Sequence, residues 1–414
     1  ARQTGKTSLL YLLMKHLLDS NISLSQIIYL DLENIHDFNL LQNLKNFDDF
    51  LQILREKGAD QSKRIYVFID EIQHLDKPSS FLKYLHDHYK PHLKFIVTGS
   101  SSLEIKKKFT DRLTGRIYRF MVKPLSFVEF LEFKGAGELA RRLSGFKLEH
   151  LISGEISEKD ITEITSDEKK ELADSLNEYL IYGGYPAVSL KDNLLVKQKD
   201  LSEIYSLYVR WDIKDIGEVD DIQGYNRVVS LLAFQIGSLV KELELAFSSQ
   251  LSRPTVKKYL FLLENTFVIR LVLPFFTNKR IEVTKTPKVY FEDVGLRNAV
   301  INNFLPLNQR TDGGHLLENF VLSELSKKED IYDRIRYWRT QSKNEVDFVW
   351  QDDWGKPCPI EVKSGYTRKQ SLPSGLKAFI KKYNPSKAFI IMNREFDTLM
   401  YEKTKIILLP AWLI

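Results

Sequence analysis

The chain opens on Ala1-Arg2-Gln3-Thr4-Gly5-Lys6-Thr7-Ser8, the tail of the pattern G-x-x-x-x-G-K-[ST]. A loop of this kind surrounds a phosphate with backbone N–H groups and must run straight into the N-terminus of a helix. Ser8 to Leu18, SLLYLLMKHLL, is apolar and helix-favouring, as that position requires. The pattern assigns Gln3, Thr4, Gly5, Lys6, Thr7 and Ser8 to a bound nucleotide, with Lys6 on the β/γ oxygens and the Thr7 hydroxyl on Mg²⁺. The first glycine of the pattern and the strand before it are expected upstream of Ala1.

Further along, Arg64-Ile65-Tyr66-Val67-Phe68-Ile69-Asp70-Glu71 reads as a buried strand of a parallel sheet ending in two carboxylates. Acids at the C-terminal end of such a strand lie where α/β folds bind ligands. Asp70 is assigned to Mg²⁺ through water and Glu71 to the attacking water; the plainer reading makes Asp70 a cap at a helix start. A third strand, Lys94 to Thr98, ends in Gly99-Ser100-Ser101-Ser102, where Thr98 and Ser100 either sense a γ-phosphate or cap the next helix. Asp111 to Arg116 leads into a β-like stretch, Ile117 to Val122, and Arg112 or Arg116 is either an arginine finger or a surface residue in a turn.

A chain of 414 residues has room for two or three domains, and 43% hydrophobic with 28% charged residues is ordinary globular composition. The single cysteine, Cys358, excludes a disulfide framework and a Cys-rich zinc site and reads as a small buried hydrophobe. No apolar run reaches the ~18–20 residues of a membrane span, and no signal peptide is legible, so no membrane partner is expected and the cytoplasm is the expected location. A formal charge of +5 is too small for a nucleic-acid coat, so any DNA contact must come from local patches. Asn278-Lys279-Arg280 through Lys285 and Lys288 is one candidate patch and Lys106-Lys107-Lys108 another; each also reads as a solvated face.

Between the two chemical ends the chain is helical. Tyr182-Gly183-Gly184-Tyr185-Pro186 marks a turn at a helix end, and long amphipathic helices follow from about Leu201 to Ile236, with Arg210 either near a nucleotide or on the surface. A short helix, Lys241 to Phe247, and a second helix opening at Ser252 with Pro254 in its first turn spell helix-turn-helix. Phe267 to Phe275 and the segment from Ile281 onward are expected to form a two-stranded wing. If this module meets DNA, Arg253, Lys257 and Lys258 face the groove and phosphates; a protein-interaction role is equally open.

The C-terminal third carries a second constellation. Glu318 sits on an amphipathic helix, His315 to Leu325; a strand, Ile335 to Arg339, precedes Glu345-Val346-Asp347, and Pro359-Ile360-Glu361-Val362-Lys363 follows a turn at Gly355. This is a D…E-x-K pattern, and period-two alternation puts Glu361 and Lys363 on one face. Asp347 and Glu361 can hold Mg²⁺ against a phosphodiester while Lys363 positions a water. A half-exposed hairpin with alternating charges is the plainer alternative, and a nuclease-like fold does not entail cleavage.

Gly5-Lys6-Thr7, Ile69-Asp70-Glu71, Thr98-Gly99-Ser100-Ser101, Leu113-Thr114-Gly115-Arg116, Pro124-Leu125-Ser126-Phe127, Gly183-Gly184-Tyr185-Pro186, Lys288 to Leu296 and the Glu318, Asp347, Glu361, Lys363 set together resemble one architecture across nearly the whole chain. It is that of prokaryotic AAA+ ATP-binding proteins joining a P-loop domain to a winged helix and a C-terminal domain of unknown function similar to PD-(D/E)XK nucleases. The resemblance implies ATP binding and hydrolysis, and an AAA-type finger at Arg112 or Arg116 acting in trans implies a homo-oligomer. The expected fold is α/β: an AAA+ type P-loop parallel sheet in residues 1–133, a helical region in 134–236, a winged helix in 237–300 and a restriction-endonuclease-like domain in 301–414. Three functions stay open: an ATP-driven DNA-processing or defence enzyme, a nucleotide-gated regulator whose tail only binds DNA, and a protein-remodelling ATPase.

Overall fold

The computed structural model describes residues 3–100, 115–146, 164–209, 213, 219–277, 282, 285–327, 334–351, 355–367, 369–393 and 396–414. The chain forms two compact units, Ala1–Lys123 with Arg210–Glu218, and Pro124–Val209 with Val219–Ile414.

In the first unit, helix α1 (Lys6–Asp19) is followed by strand β1 (Ile27–Asp31), helices α2 (Ile35–Gln42) and α3 (Phe50–Glu56), strand β2 (Ile65–Asp70), helix α4 (Pro78–Tyr89) and strand β3 (Leu93–Val97). The three strands make a parallel sheet with β2 in the centre. Alternation along β2 explains its apolar run: Ile65, Val67 and Ile69 pack with Phe50, Leu54, Phe81 and Leu85 of α3 and α4, while Phe68 packs on the opposite face with Leu10 of α1. A strand covered on both faces has no polar side to show. The register aligns Asp31 with Asp70 and Ile69 with Val97, so the C-terminal strand ends form one edge. The β-like stretch expected at Ile117 to Val122 is not a strand; Tyr118 and Phe120 are 89% and 80% exposed, and among the described residues the stretch pairs with no strand.

The second unit begins with helices α5 (Phe127–Phe133), α6 (Gly137–Ser144), α7 (Ser166–Tyr182) and α8 (Leu194–Leu207). Gly183 ends α7 at φ 72°, a conformation that favours glycine. Helix α9 (Ile222–Phe234) leads to the pair α10 (Glu242–Ser249) and α11 (Arg253–Asn265), the latter capped by Ser252 with proline in its first turn. Strands β4 (Ile269–Val272) and β5 (Lys288–Phe291) form an antiparallel pair. The second strand begins at Lys288, later than the expected Ile281, which lies outside the described residues.

After helix α12 (Val294–Val300) comes helix α13 (Gly313–Lys327), then strands β6 (Ile335–Arg339), β7 (Glu345–Gln351) and β8 (Pro357–Val362), helix α14 (Ser374–Tyr383), and strands β9 (Lys387–Met392), β10 (Asp397–Tyr401) and β11 (Thr404–Pro410). The sheet order is β10-β11-β9-β8-β7-β6. The joins of β8 to β9 and of β9 to β11 are parallel, and the remaining joins are antiparallel. One face carries Phe348, Ile360, Phe389 and Ile407 against Phe320 and Leu325 of α13; the other carries Ile390, Ile406 and Leu408 against Leu376 and Ile380 of α14. Cys358 is buried with its thiol toward the Lys387 carbonyl at 3.6 Å, a packing role.

Candidate functional sites

Gly5, at φ 85°, sits at the N-cap of α1, which brings the loop residues to the C-terminal edge of the parallel sheet. Thr7 Oγ1 donates to Asp70 Oδ2 at 2.6 Å. Asp70 is buried at 3% exposure and also receives the Thr98 hydroxyl and, at 3.4 Å, the Tyr29 hydroxyl. Thr4 is buried; Gln3 and Ser8 are exposed and Lys6 half-buried. Glu71 adopts the left-handed conformation at φ 53°, which turns its side chain off the strand line. There its carboxylate accepts from the Ser100 backbone N–H at 2.9 Å and from the Gln73 amide. Burial pushes the Glu71 carboxyl up, but these hydrogen bonds and the Lys6 charge outweigh it and hold the group below its ordinary value.

A hydroxyl and a carboxylate joined by one hydrogen bond at the edge of a phosphate loop are hard oxygen donors of the type a divalent cation takes. The residues present therefore fit a nucleotide-bound divalent cation. Tyr29 and Gln73 were not singled out by sequence reasoning; both come close through sheet register and a turn, which no motif spacing reports. Arg116 has a partner in its own unit: Nε and Nη2 donate to the two Asp87 oxygens at 2.7 and 3.2 Å. The Arg116 hydrogen bonds pull the Asp87 carboxyl down to about 2. Arg112, Arg210, Ser101 and Lys106 to Lys108 lie outside the described residues.

In the second unit, Asp347 and Glu361 come from neighbouring antiparallel strands whose register pairs Phe348 with Ile360. Asp347 Oδ2 accepts the Val362 N–H at 2.8 Å. Lys363 lies 2.9 Å from Glu361 Oε1 and 3.7 Å from Asp347 Oδ2. Glu361 Oε2 is buried without a hydrogen-bond partner. Burial, then the charges of Glu318 and Glu361, push Asp347 well above the usual carboxylate range despite Lys363 and Lys288. Burial likewise raises Glu361, with Lys363 opposing.

Glu318 on α13 is turned to a different set of groups. Its Oε1 accepts from Tyr290 at 2.5 Å and lies 3.3 Å from the Lys288 ammonium, and its Oε2 lies 3.7 Å from His315 Nδ1. Burial pushes Glu318 up, but Lys288, His315 and Tyr290 together hold it below its ordinary value. Among the described residues no three of His, Cys, Asp and Glu are grouped to hold a metal ion. Lys288, named above as part of a basic surface patch, is only 2% exposed, so that expectation is corrected: its strand is covered and its charge spent internally. Tyr290, His315 and Glu345 were missed, because their convergence depends on how β5 packs against α13 and β7.

On the helix pair, Arg253 Nε donates to Glu242 Oε2 at 2.7 Å and Lys257 lies 3.6 Å from the same oxygen. Lys258 is exposed beside them. Among the described residues no helix is long and apolar enough to cross a membrane.

Comparison with known proteins agrees with the first unit's geometry. Residues 1–131 match the model of an AAA domain, so the N-terminal region is an AAA-like P-loop region. Residues 173–307 and 313–413 match two domains of unknown function, DUF8612 and DUF4143. An uncharacterized protein of Haemophilus influenzae is 27% identical over 354 residues, spanning 84% of this chain and 77% of its own length. One of Methanocaldococcus jannaschii is 26% identical over 360 residues, spanning 84% and 70%. An uncharacterized protein of Mycobacterium tuberculosis is 29% identical over 161 residues, 38% of this chain and 35% of its own length. The AAA match supports an ATPase-like function, with nucleotide bound together with a divalent metal.

Proposed function

We propose that the chain is an AAA+ type ATPase that hydrolyses ATP with Mg²⁺ and couples the cycle to a DNA-binding, nuclease-like C-terminal domain. The observation that carries the ATPase half is the Thr7 to Asp70 hydrogen bond beside a Glu71 carboxylate kept ionised by Ser100 and Gln73. Bound ATP with its cation supplies an electrophilic γ-phosphorus and neutralised phosphate charge. Lys6 with the Gln3 to Ser8 loop then holds the phosphates, Thr7 and Asp70 hold the cation, Glu71 orients the attacking water, and Thr98 and Ser100 read the γ-phosphate. Arg112 or Arg116 completes the site in trans within a homo-oligomer; for Arg116 this requires exchange of the Asp87 pair for phosphate.

In the same reading residues 1–133 are the ATPase core, 134–236 a helical region, 237–300 a winged helix and 301–414 a PD-(D/E)XK-like domain, all acting in the cytoplasm. Arg253, Lys257 and Lys258 contact DNA phosphates. In the tail, the orphaned Glu361 oxygen fits a divalent cation shared with Asp347, Lys363 positions a water, and Glu318 stands on the adjacent helix. A second reading, a nucleotide-gated regulator or protein remodeller with an inactive tail, is favoured by two observations. Glu242 already pairs with Arg253 and lies 3.6 Å from Lys257, offsetting part of their charge, and Lys288 already occupies Glu318.

Two assays separate the readings. Duplex DNA is expected to stimulate ATP turnover, and Mn²⁺-dependent nicking is expected to vanish in Glu361→Ala. Stimulation without nicking selects the regulator, and neither response selects the protein remodeller.

A further inference from the structure

Lys288 belongs by backbone to the β4–β5 pair, where it faces Val272. Its side chain leaves that hairpin and is buried, 3.3 Å from Glu318 Oε1 and 2.5 Å from Glu345 Oε1, with the Tyr337 ring 5.6 Å away. Burying an ammonium is costly unless charges compensate it, and two carboxylates do so here. The consequence falls on Glu318. Both its oxygens are engaged, one by Lys288 and Tyr290 and the other by His315, whereas Glu361 presents a buried oxygen with no partner. Glu345 and Asp347 stand two residues apart on one face of β7, so the Lys288–Glu318 pair lies on the Asp347 side of the sheet, yet the three carboxylates are not grouped as a metal set.

We infer that Lys288 is a positioning residue, an internal counter-cation that withholds Glu318 from the Asp347–Glu361 pair, so that a divalent cation binds on two carboxylates and competes with Lys288 for the third. This rests on the reading of Asp347 and Glu361 as a divalent-cation site. The ligand class is a hard dication with oxygen preference. Because β5 delivers the lysine, movement of the β4–β5 hairpin changes the charge available to the site.

The test is Mn²⁺ binding to the whole chain without nucleotide, followed by the electron paramagnetic resonance of free Mn²⁺, with Glu361→Ala as reference. Removing one positive charge beside a dication in a poorly screened pocket tightens binding by about tenfold or more. Lys288→Met is therefore expected to bind Mn²⁺ at least about tenfold more tightly than wild type, while Lys288→Arg, which keeps the charge, restores the wild-type value. Glu345→Gln leaves the lysine wholly to Glu318 and is expected to weaken binding. It is also the deciding variant if Lys288→Met does not fold. Wild-type binding that is unchanged or weaker in Lys288→Met, or unchanged or tighter in Glu345→Gln, overturns the inference alone. Binding equal in wild type and Glu361→Ala overturns the cation-site reading, and the inference with it.

Discussion

At the residue scale, Asp70 at the end of β2 and Glu71 just beyond it have different neighbours and, in the proposed reading, different work. Asp70 is locked among hydroxyls of Thr7, Thr98 and Tyr29, while Glu71 is held off the strand by Ser100 and Gln73. In the proposed reading Lys6→Ala loses nucleotide binding and turnover together. Glu71→Gln keeps ATP binding and loses turnover, since only the action on water is removed. Equilibrium binding of a fluorescent ATP analogue, run beside phosphate release, distinguishes the two; normal turnover in either variant sinks the assignment. His315 allows a pH prediction. The Glu318 carboxylate, 3.7 Å from its Nδ1, raises it above the ordinary 6.5 against the lowering effect of burial. A raised folded value means the pair stabilises the fold fully below the unfolded value, and that contribution fades as pH rises through the folded one. An NMR titration is expected to place His315 above 6.5 in the native chain and to bring it down in Glu318→Gln; no change on that substitution contradicts the pairing.

At the element scale, the carboxylates of the second unit depend on how closely α14 lies on β7. A Cβ added at Gly375 meets the Glu345 carbonyl oxygen at 1.7 Å and its carbon at 2.6 Å, both backbone atoms that a rotamer change cannot move. Gly375→Ala is therefore expected to destabilise the fold by about 1–3 kcal/mol or more, read as a lower thermal midpoint. It should also disturb the strand that bears Asp347. A midpoint equal to wild type would mean the helix moves away at no cost. The pair α10 and α11 shows the other kind of element, one declared by its own ends. Ser252 accepts the Thr255 N–H at 3.2 Å, and Ser252→Ala is expected to cost about 1 kcal/mol, measured by denaturant unfolding.

At the scale of the whole molecule, each unit has its own core, with β2 as the central strand of the first unit and a six-stranded mixed sheet in the second. An arginine acting in trans requires more than one chain per functional site, so the proposed ATPase is expected to self-associate when ATP is present, with turnover per chain rising with protein concentration. Sedimentation showing a monomer at every concentration with ATP, and turnover proportional to enzyme, excludes the trans arrangement. Asp87→Ala, which removes the ion pair between Asp87 and Arg116, adds a check: it should not reduce self-association if Arg116 serves a neighbouring chain.

What could be read from the residues alone was whatever is encoded locally. Gly5-Lys6-Thr7 before an apolar helix, the run Ile65 to Asp70, and Ser252 with Pro254 at the head of α11 each announce an element through neighbours in the chain, because loop conformation, strand alternation and helix capping are short-range physics. The strand Ile335 to Arg339 was legible for the same reason. Ile117 to Val122 shows the limit, since β propensity alone makes no strand there. Only tertiary structure decided what surrounds the carboxylates. Lys288 and Tyr290 meet Glu318 across 30 and 28 residues of chain, and Tyr29 meets Asp70 across 41. Periodicity says which face of an element is apolar, but the segment that covers that face, and the charge it brings, is chosen by packing of the whole core.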